Sequence, residues 1–553
     1  MKKIISRCMA VLLTVAMILT MSMTAFASEG TSEAVAAATG KLTVNNTVAG
    51  KTLDLYQIFT AVKGKGSVIY RLNKAYEGFF QSKISDASTL TDEPLSEKAY
   101  AYVQEQVGTD GSNGAAFAKD ILGWILENAT TVNATHTTEI TTEGTTVINN
   151  LAYGYYVVYP LGATDTSTAP GNETVKSVAS LVSVTGNDAT VNMKSNYPTV
   201  VKKVNDKNAD DVNIGDTVTY TLTSKVPDMT GYTSYVFNFK DTLAKGLTFG
   251  SITSVKIGDV TINADTDGTK AENTYTLTTK NNEDGTTEIK IEMNKFLASN
   301  ANKAGQEIKV TYTATLNKDA VTGFDPNTNK ATVEYSNKPG TEKKGESEPS
   351  IVDVHTFDFT IFKYYTTNSE GTETKNPLKG AEFELYKANA EGTAADEQAK
   401  INIVYEGNGV YRQATAEEAK ATDFTSAKIV SDADGKVLVK GLDAGTYYLR
   451  ETKAPEGYNK LLSDITVVIK AHYDEITGKL KSYSVDYTYN GKTTNGTAIT
   501  DKDNHPEVAV ENKTGAQLPS TGSKGALMVT LAGIVLFGVL TASKAFGKKK
   551  AKN

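Results

Sequence analysis

Short segments in which apolar and polar residues alternate recur along most of this chain. After the turn Gly215-Asp216, for example, Val218, Tyr220 and Leu222 alternate with threonines. Side chains two positions apart lie on the same face of a strand. Segments of this kind, separated by Gly, Asn, Asp and Pro, are typical of all-β sandwiches. We therefore expect a chain built mainly of β-sheet.

The N-terminus has the features of a secretory signal peptide. Residues 2–7 carry three basic side chains, residues 10–20 are apolar, and Ala25-Phe26-Ala27 is a small-x-small cleavage site. Cleavage after Ala27 would remove the single cysteine, Cys8. The mature chain would then be secreted without an internal disulfide, although secreted proteins often depend on disulfides.

About 490 residues lie between this cleavage site and the C-terminal motif described below, which predicts three or four domains. Changes in pattern place the boundaries at 28–197, 198–352, 353–514 and 515–553. The first domain also shows helical periodicity over 96–107 and 114–129. The polar stretch 337–349 is expected to be a linker or long loop.

Composition argues against two classes of function. The formal net charge is −7, with no basic patch outside the C-terminal tail, so nucleic-acid binding is not expected. The mature chain lacks a cysteine nucleophile and a G-x-S-x-G elbow. The histidines have no metal-ligand spacing; they are His136, His355, His472 and His505. No metal, cofactor or turnover catalysis is expected.

The C-terminus combines a short motif, an apolar run and a basic tail. Leu518-Pro519-Ser520-Thr521-Gly522 precedes an apolar run over 525–546 and four lysines between positions 548 and 552. The run is long enough to cross a bilayer, and terminal lysines favour the cytoplasmic side. The motif resembles the LPxTG sorting signal of Gram-positive wall proteins. This resemblance implies that a sortase cysteine attacks the carbonyl carbon of Thr521, releases the chain from Gly522 onward, and transfers the Thr521 acyl group to an amine.

Three polar residues of the region 353–514 stand on apolar strand faces. Lys363 continues the face of Phe357, Phe359 and Ile361, while Glu451 and Asn512 each end a similar alternation. Burial lowers the pKa of a lysine and raises that of a carboxylic acid. A neutral amine could then attack the Asn carboxamide while the protonated acid polarises its oxygen, which leaves an amide bond and releases ammonia.

The surrounding sequence supports this chemistry through a family resemblance. The segment from Tyr448 to Tyr458, YLRETKAPEGY, resembles the E-box of Cna B-type isopeptide domains, and LKGAEF at 378–383 resembles the strand after their lysine strand. The resemblance implies a Lys363–Asn512 bond with Glu451 as the catalyst.

The region 198–352 shows the same pattern. Lys202 alternates with Val200 and Val204, and Asp241 and Asn329 also share faces with apolar residues. The segments 241–249 and 329–337 resemble the fimbrial isopeptide domain related to the Cna A-type fold, which implies a Lys202–Asn329 bond catalysed by Asp241. A one-residue register shift would exchange Lys202 for Lys203. Each of the two bonds is expected to join the first strand of its domain to the last.

The first domain lacks this set of residues. Tyr159 occupies the position of the acid, and the strand at 42–46 has no inward lysine. No internal bond is expected there.

Taken together, the signal peptide, three such domains and LPSTG resemble a Gram-positive major (backbone) pilin. The family has an acceptor lysine in a YPK-type motif ending its first domain. Here Tyr197-Pro198 is followed by Thr199, and strand alignment instead favours Lys194, with Lys203 as the alternative.

The resemblance implies a particular location and set of partners. The expected partners are other pilin copies, a pilus-type and a housekeeping sortase, peptidoglycan, minor pilins and host surface ligands. The expected location is a cell-wall-anchored surface pilus, reached through a membrane-held precursor. The alternative is a monomeric LPxTG wall-anchored adhesin.

Overall fold

A computed structural model describes residues 38–64, 67–108, 114–164, 178–193 and 196–515. The chain forms two compact units. The first comprises the described residues up to Thr356 together with His472–Lys481, and the second comprises Phe357–Ala471 and the described residues from Ser482 onward. Both consist mainly of β-sheet, which confirms the predicted fold class. No helix within the described ranges is long and apolar enough to span a membrane.

The N-terminal part of the first unit combines eight described strands with three α-helices. The strands are β1 (Thr39–Thr47), β2 (Thr52–Lys63), β3 (Val68–Leu72), β4 (His136–Glu139), β5 (Gly144–Ala152), β6 (Gly154–Pro160), β7 (Ser180–Val184) and β8 (Ala189–Asn192). The helices are α1 (Glu77–Lys83), α2 (Asp92–Val107) and α3 (Gly114–Glu127). The two longer helices match the predicted helical stretches, whereas the sequence pattern missed α1.

These elements form three layers. One sheet has the order β5-β1-β8, and the other has the order β3-β2-β6-β7 with β4 paired to β2. Apolar side chains between the sheets form one core, and a second core lies between the β2-containing sheet and the helices. Because β2 and β6 are covered on both faces, their residues are buried almost continuously.

The rest of the first unit is a sandwich of two sheets. Its elements are β9 (Val201–Val204), β10 (Ala209–Asp211), β11 (Thr217–Lys225), β12 (Phe237–Leu243), β13 (Leu247–Ile257), β14 (Val260–Thr261), β15 (Asn263–Ala264), β16 (Thr274–Asn281), β17 (Thr287–Met293), α4 (Phe296–Asn300), β18 (Glu307–Leu316), β19 (Asn327–Ser336), β20 (Lys344–Glu346) and β21 (Ser350–His355). We call it the middle sandwich.

Its sheets have the orders β14-β13-β18-β11-β9 and β10-β21-β19-β12-β17-β16-β15, with β20 paired to β19. Alternating residues of both sheets fill one core. Of the two expectations for 337–349, the long loop is confirmed and the linker is not: most of the stretch is irregular, and it folds back so that Lys344–Glu346 pairs with the end of β19. Its polar side chains reflect an exposed edge strand.

The second unit, with two strands that extend a few residues into the segment His472–Lys481, is also a sandwich, here called the C-terminal sandwich. Its elements are β22 (Phe357–Ser369), β23 (Thr372–Pro377), β24 (Glu382–Ala388), β25 (Ala395–Lys400), β26 (Ile403–Gly407), β27 (Val410–Gln413), α5 (Ala416–Lys420), β28 (Ile429–Val430), β29 (Lys436–Leu442), β30 (Gly445–Lys453), β31 (Ile465–Tyr473), β32 (Leu480–Tyr489), β33 (Lys492–Thr494) and β34 (Glu507–Glu511).

Its sheets have the orders β23-β22-β29-β27-β26 and β25-β24-β30-β31-β32-β33. β34 pairs in parallel with β22, and β28 pairs with β24. The last strand of the chain therefore lies beside the first strand of this sandwich.

Candidate functional site

The middle sandwich brings Lys202, Asp241 and Asn329 together in its interior. Lys202 lies on β9 in one sheet, whereas Asp241 and Asn329 lie on the neighbouring strands β12 and β19 of the other. Asp241 pairs with Ala331, two residues from Asn329, so the acid and the amide are diagonal neighbours on one face. All three residues are at most 2% exposed.

The contacts in this cluster are short. Lys202 Nζ lies 2.5 Å from Asp241 Oδ2, and it also donates to the phenol oxygen of Tyr312 at 2.8 Å. Asn329 Nδ2 donates to the same phenol oxygen at 2.8 Å. Among the described residues, Asp241 Oδ1 and Asn329 Oδ1 have no hydrogen-bond partner. A protonated Asp241 could therefore donate to an amide oxygen that nothing else occupies.

Burial shifts both ionisable groups toward their neutral forms. Desolvation lowers the pKa of Lys202 to about 8, although the nearby Asp241 acts in the opposite direction. Desolvation likewise raises the pKa of Asp241 against the opposing influence of Lys202. The arrangement thus favours a neutral amine beside a carboxylic acid, the protonation states needed for attack on an amide.

The structure also settles which of two adjacent lysines points inward. Lys203 lies on the opposite face of β9, where it is partly exposed and donates to Asn208 Oδ1 at 2.6 Å. Lys202 pairs across the sheet with Leu222 and continues the buried face of Val204. The geometry therefore favours Lys202 as the nucleophile of the interior.

The C-terminal sandwich assembles Lys363, Glu451 and Asn512 in the same way. Lys363 lies on β22 and pairs with Val510 of β34, and Asn512 follows directly after that strand. Glu451 approaches from β30 in the opposite sheet. All three are buried. As in the middle sandwich, one sheet supplies the lysine and the other the acid.

Glu451 is the centre of this second cluster. Lys363 Nζ lies 3.4 Å from Glu451 Oε1. The other oxygen, Oε2, accepts from the backbone N–H of Leu461 at 2.7 Å and from Asn512 Nδ2 at 3.1 Å. Asn512 Nδ2 also donates to the carbonyl of Asn459 at 2.7 Å. Desolvation lowers the pKa of Lys363 to about 8.

A glycine holds the backbone beside Lys363. The N–H of Lys363 donates to the carbonyl of Gly435 at 2.6 Å. Gly435 has a φ of 68°, and a Cβ there would collide with the carbonyl oxygen of Lys363. Only glycine fits this turn, because it tolerates positive φ and leaves room for the backbone.

The N-terminal part has no comparable cluster among the residues named for it. Tyr159 is buried and pairs across the sheet with Asp54, a fully buried acid that sequence analysis did not single out. Asp54 accepts from Thr137 Oγ1 at 2.6 Å, and Lys338 of the middle sandwich lies 3.3 Å from its other oxygen. The inward residues of β1 are apolar or Thr47.

Several residues named from the sequence lie outside the described ranges. These are Ala27 at the signal cleavage site, Lys194, the sorting motif Leu518, Pro519, Ser520, Thr521 and Gly522, the apolar run and the lysine tail. The interior residues that sequence analysis missed are Tyr312, Asn459 and Leu461. Tyr312 reads as an ordinary core residue of an alternating strand, and the other two act through their backbone.

Two family models match the chain, one in each of these sandwiches. Residues 214–339 match the Gram-positive pilin backbone subunit 2, Cna-B-like domain. Residues 364–483 match the SpaA prealbumin-like fold domain. The middle sandwich therefore carries a domain of the Gram-positive pilin backbone type. The description of the first match is Cna-B-like, whereas the sequence resemblance had pointed to a Cna A-type relative.

Relatives of the chain include a surface protein and a fimbrial subunit. The trypsin-resistant surface T6 protein of Streptococcus pyogenes serotype M6 is 24% identical over 82% of this chain and 75% of the relative. Fimbrial subunit type 2 of Actinomyces naeslundii is 26% identical over 49% of this chain and 50% of the relative. The solved T6 backbone pilin of serotype M6 Streptococcus pyogenes is 18% identical, covers 86% of this chain and 99% of that chain, and gives a TM-score of 0.45.

Proposed function

We propose that the chain is a structural subunit of a Gram-positive pilus, that it forms one internal Lys–Asn amide bond in each of two sandwiches, and that it is then polymerised by sortase through Thr521. The observation that carries the first half is the repeated cluster of a buried lysine, a buried acid and a buried asparagine. The two clusters share this composition although the asparagine comes from different strands, β19 in one and the end of β34 in the other.

The proposed reaction is balanced within each cluster. The neutral Nζ attacks the Asn side-chain carbon, and the protonated acid donates a hydrogen bond to the carboxamide oxygen. The C–N bond to the leaving nitrogen breaks, and that nitrogen takes up a proton to leave as ammonia. The product is an uncharged amide, which removes the cost of holding a lysine charge in an apolar core.

The second half of the proposal concerns assembly. A pilus-type sortase would cleave after Thr521 and transfer its acyl group to Lys194 of the next copy, with Lys203 as the alternative acceptor. A housekeeping sortase would attach the finished polymer to peptidoglycan, and minor pilins and host surface ligands would be its further partners. The membrane-held precursor would become part of a wall-anchored surface pilus used for adhesion.

The intact mass of the purified chain tests the internal bonds. We expect a deficit of about 34 Da relative to the sequence mass, one ammonia of about 17 Da per bond. Asn329→Ala and Asn512→Ala should each reduce the deficit to about 17 Da, and Asp241→Asn and Glu451→Gln should do the same. A wild-type deficit of zero would rule out both bonds.

A matched control is available on β19. Asn327 is buried two residues before Asn329, but its side chain binds the backbone of Val321 and Val354 instead of the cluster. Asn327→Ala should therefore keep the full deficit of about 34 Da. If it behaved like Asn329→Ala, the smaller deficit in both variants would reflect general disruption of the sandwich and not removal of the reacting amide.

Polymerisation is tested on whole cells. We expect SDS-resistant ladders of high molecular weight that disappear when Thr521 is replaced and when Lys194→Arg removes the acceptor amine. Ladders that persist in Lys194→Arg but disappear in Lys203→Arg would move the acceptor to Lys203. A single wall-anchored band in the wild type would instead identify a monomeric adhesin.

A further inference from the structure

The phenol oxygen of Tyr312 touches every reacting group of the middle cluster. It accepts hydrogen bonds from Lys202 Nζ and from Asn329 Nδ2, each at 2.8 Å, and donates to Asp241 Oδ2 at 2.6 Å. It thus lies between the attacking nitrogen and the leaving nitrogen. Neither the lysine nor the amide needs to move far to exchange a proton with it.

The ring of Tyr312 is held firmly in this position. It is fully buried on β18, stacks on Tyr220 with a centroid distance of 5.2 Å, and contacts Phe249 at 5.8 Å. Lys202 Nζ lies 4.8 and 5.1 Å from the centroids of the two tyrosine rings. Burial raises the pKa of Tyr312 well above its usual range, so the hydroxyl stays protonated.

Amide formation requires a proton to cross from one nitrogen to the other. After attack, the lysine nitrogen must lose a proton, and the Asn nitrogen must gain one before it leaves as ammonia. Asp241 can polarise the carboxamide oxygen. The hydroxyl of Tyr312, however, contacts both nitrogens directly and can therefore carry the proton from one to the other. A phenol that passes its own proton to one atom while accepting one from another is restored at the end.

We propose that Tyr312 is a catalytic proton relay for amide formation in the middle sandwich, an inference that rests on the proposed Lys202–Asn329 bond. It accepts the proton from Lys202 Nζ and delivers its own to Asn329 Nδ2. Asp241 stays protonated and donates a hydrogen bond to the former carboxamide oxygen until the tetrahedral intermediate collapses. The net change is one C–N bond formed, one broken, and ammonia released.

The C-terminal sandwich lacks this feature and so provides an internal control. There, Asn512 Nδ2 donates to Glu451 Oε2 and to the carbonyl of Asn459. No hydrogen bond from a hydroxyl to Lys363, Glu451 or Asn512 occurs within the described part of the chain. Glu451 contacts both nitrogens, one through each oxygen, and can transfer the proton itself.

The test is the time course of bond formation in Tyr312→Phe. The full chain is made by cell-free translation, quenched with acid at intervals, digested, and analysed by mass spectrometry for the two linked peptides. A general acid–base group typically contributes 10²–10⁴-fold, so we expect the Lys202–Asn329 bond to form on the order of 100-fold more slowly. The Lys363–Asn512 bond in the same molecules should form at the wild-type rate.

Two further variants separate catalysis from packing. Tyr220→Phe removes a phenol hydroxyl from the stacked neighbour but leaves the three hydrogen bonds of Tyr312, and it should form the middle bond close to the wild-type rate. In an Asn329→Ala background, where no bond can form, adding Tyr312→Phe should change the thermal midpoint little. Equal slowing in Tyr220→Phe, or a wild-type rate in Tyr312→Phe, would overturn the relay.

Failure of the relay and failure of the proposed function give different results. If wild-type chains never form the middle peptide, the proposed bond itself is wrong and the relay falls with it. If the wild type forms the bond and Tyr312→Phe forms it equally fast, only the relay is wrong. Pilus ladders should persist in Tyr312→Phe, because the sorting motif is intact.

Discussion

At the scale of single residues, two lysines without exposed side chains are the most unusual feature of the molecule. The side chains of Lys202 and Lys363 both have zero relative exposure. A charged ammonium in such a position is costly, even beside a carboxylate. Conversion to an amide removes the charge permanently, so the energetic cost of the buried charge exists only before the bond forms.

When a bond is prevented, this cost should make the free energy of unfolding depend on pH. In Asn512→Ala, Lys363 keeps its amine, whose folded-state pKa of about 8 lies below the ordinary 10.5. The unfolded chain then binds more protons between these pH values, so the free energy of unfolding should rise with pH there, by about 3 kcal/mol. The wild-type amide does not titrate and should not show this rise.

The measurement is urea unfolding of the C-terminal sandwich at intervals from pH 7 to pH 10, in Asn512→Ala and in the wild type. The difference in stability between them should narrow as pH increases. A constant difference across this range would show that Lys363 is not desolvated in the unlinked protein.

The sequence was sufficient to find most of these residues, but not all. The period of two places Lys363, Glu451 and Asn512 on apolar faces, so their burial could be inferred without a structure. Tyr312 gave no signal, because a tyrosine on an apolar face is ordinary and its importance comes from three residues on other strands. The partner of Asp54 lies 284 positions away, which no local pattern can reveal.

At the scale of strands, the two proposed bonds close their sandwiches differently. In the C-terminal sandwich the bond would link β22 with the end of β34, which are the first and last strands. In the middle sandwich β20 and β21 follow β19 and lie outside the closed loop. The expectation that each bond joins first and last strands is therefore wrong for the middle sandwich.

The terminal strand β34 should depend on its covalent link. Among the described strands it pairs only with β22, in parallel, and it is five residues long. In Asn512→Ala we expect the backbone amides of β34 to lose hydrogen-exchange protection, because β34 can then open locally without displacing Lys363. Asn329→Ala is the matched control and should leave β34 protected. Equal protection of β34 in Asn512→Ala and the wild type would show that strand pairing alone holds it.

Within the first unit, two lysines connect the N-terminal part and the middle sandwich, one contributed by each. Lys338 reaches the fully buried Asp54, and Lys51 donates to the hydroxyl of Tyr335 at 3.0 Å and to the carbonyl of Glu346 at 3.1 Å. Burial lowers the pKa of Lys51. The N-terminal part, for which no internal bond is expected, is thus stabilised by contacts with a sandwich that does have a candidate bond.

Removing Lys338 should weaken the N-terminal part specifically. Lys338→Met leaves the carboxylate of Asp54 buried without its cation, which we expect to cost about 1–3 kcal/mol, because Lys338 is itself partly exposed. The only tryptophan, Trp124, packs on Phe79 in the helix-covered core, so its fluorescence reports this part alone. The fluorescence midpoint should fall by roughly 3–8 °C. Lys343→Met, on the same loop and exposed, should leave it unchanged; equal midpoints in both variants would contradict the role of Lys338.

At the scale of the whole molecule, internal amides would replace internal disulfides, which a chain with a single cysteine cannot form. The two bonds would close loops of roughly 130 and 150 residues. By the chain-entropy account of cross-links, each closure would stabilise the folded state by about 5 kcal/mol. The larger consequence is mechanical. A covalent bond between strands carries tension directly, so the chain inside each loop cannot be extended by force.

Single-molecule pulling on the two ends of the chain tests this consequence. In the wild type, force should extend the N-terminal part and the segment between the two loops, while the residues from 202 to 329 and from 363 to 512 stay folded. In Asn512→Ala the second loop becomes extensible and should add roughly 150 residues, or about 50 nm at about 3.5 Å per residue. Asn327→Ala, which changes a buried asparagine outside the cluster, should give the wild-type extension. A wild-type trace that already includes the additional 50 nm or so would mean that the C-terminal sandwich is held by packing alone, and that tension in a pilus passes through its hydrogen bonds.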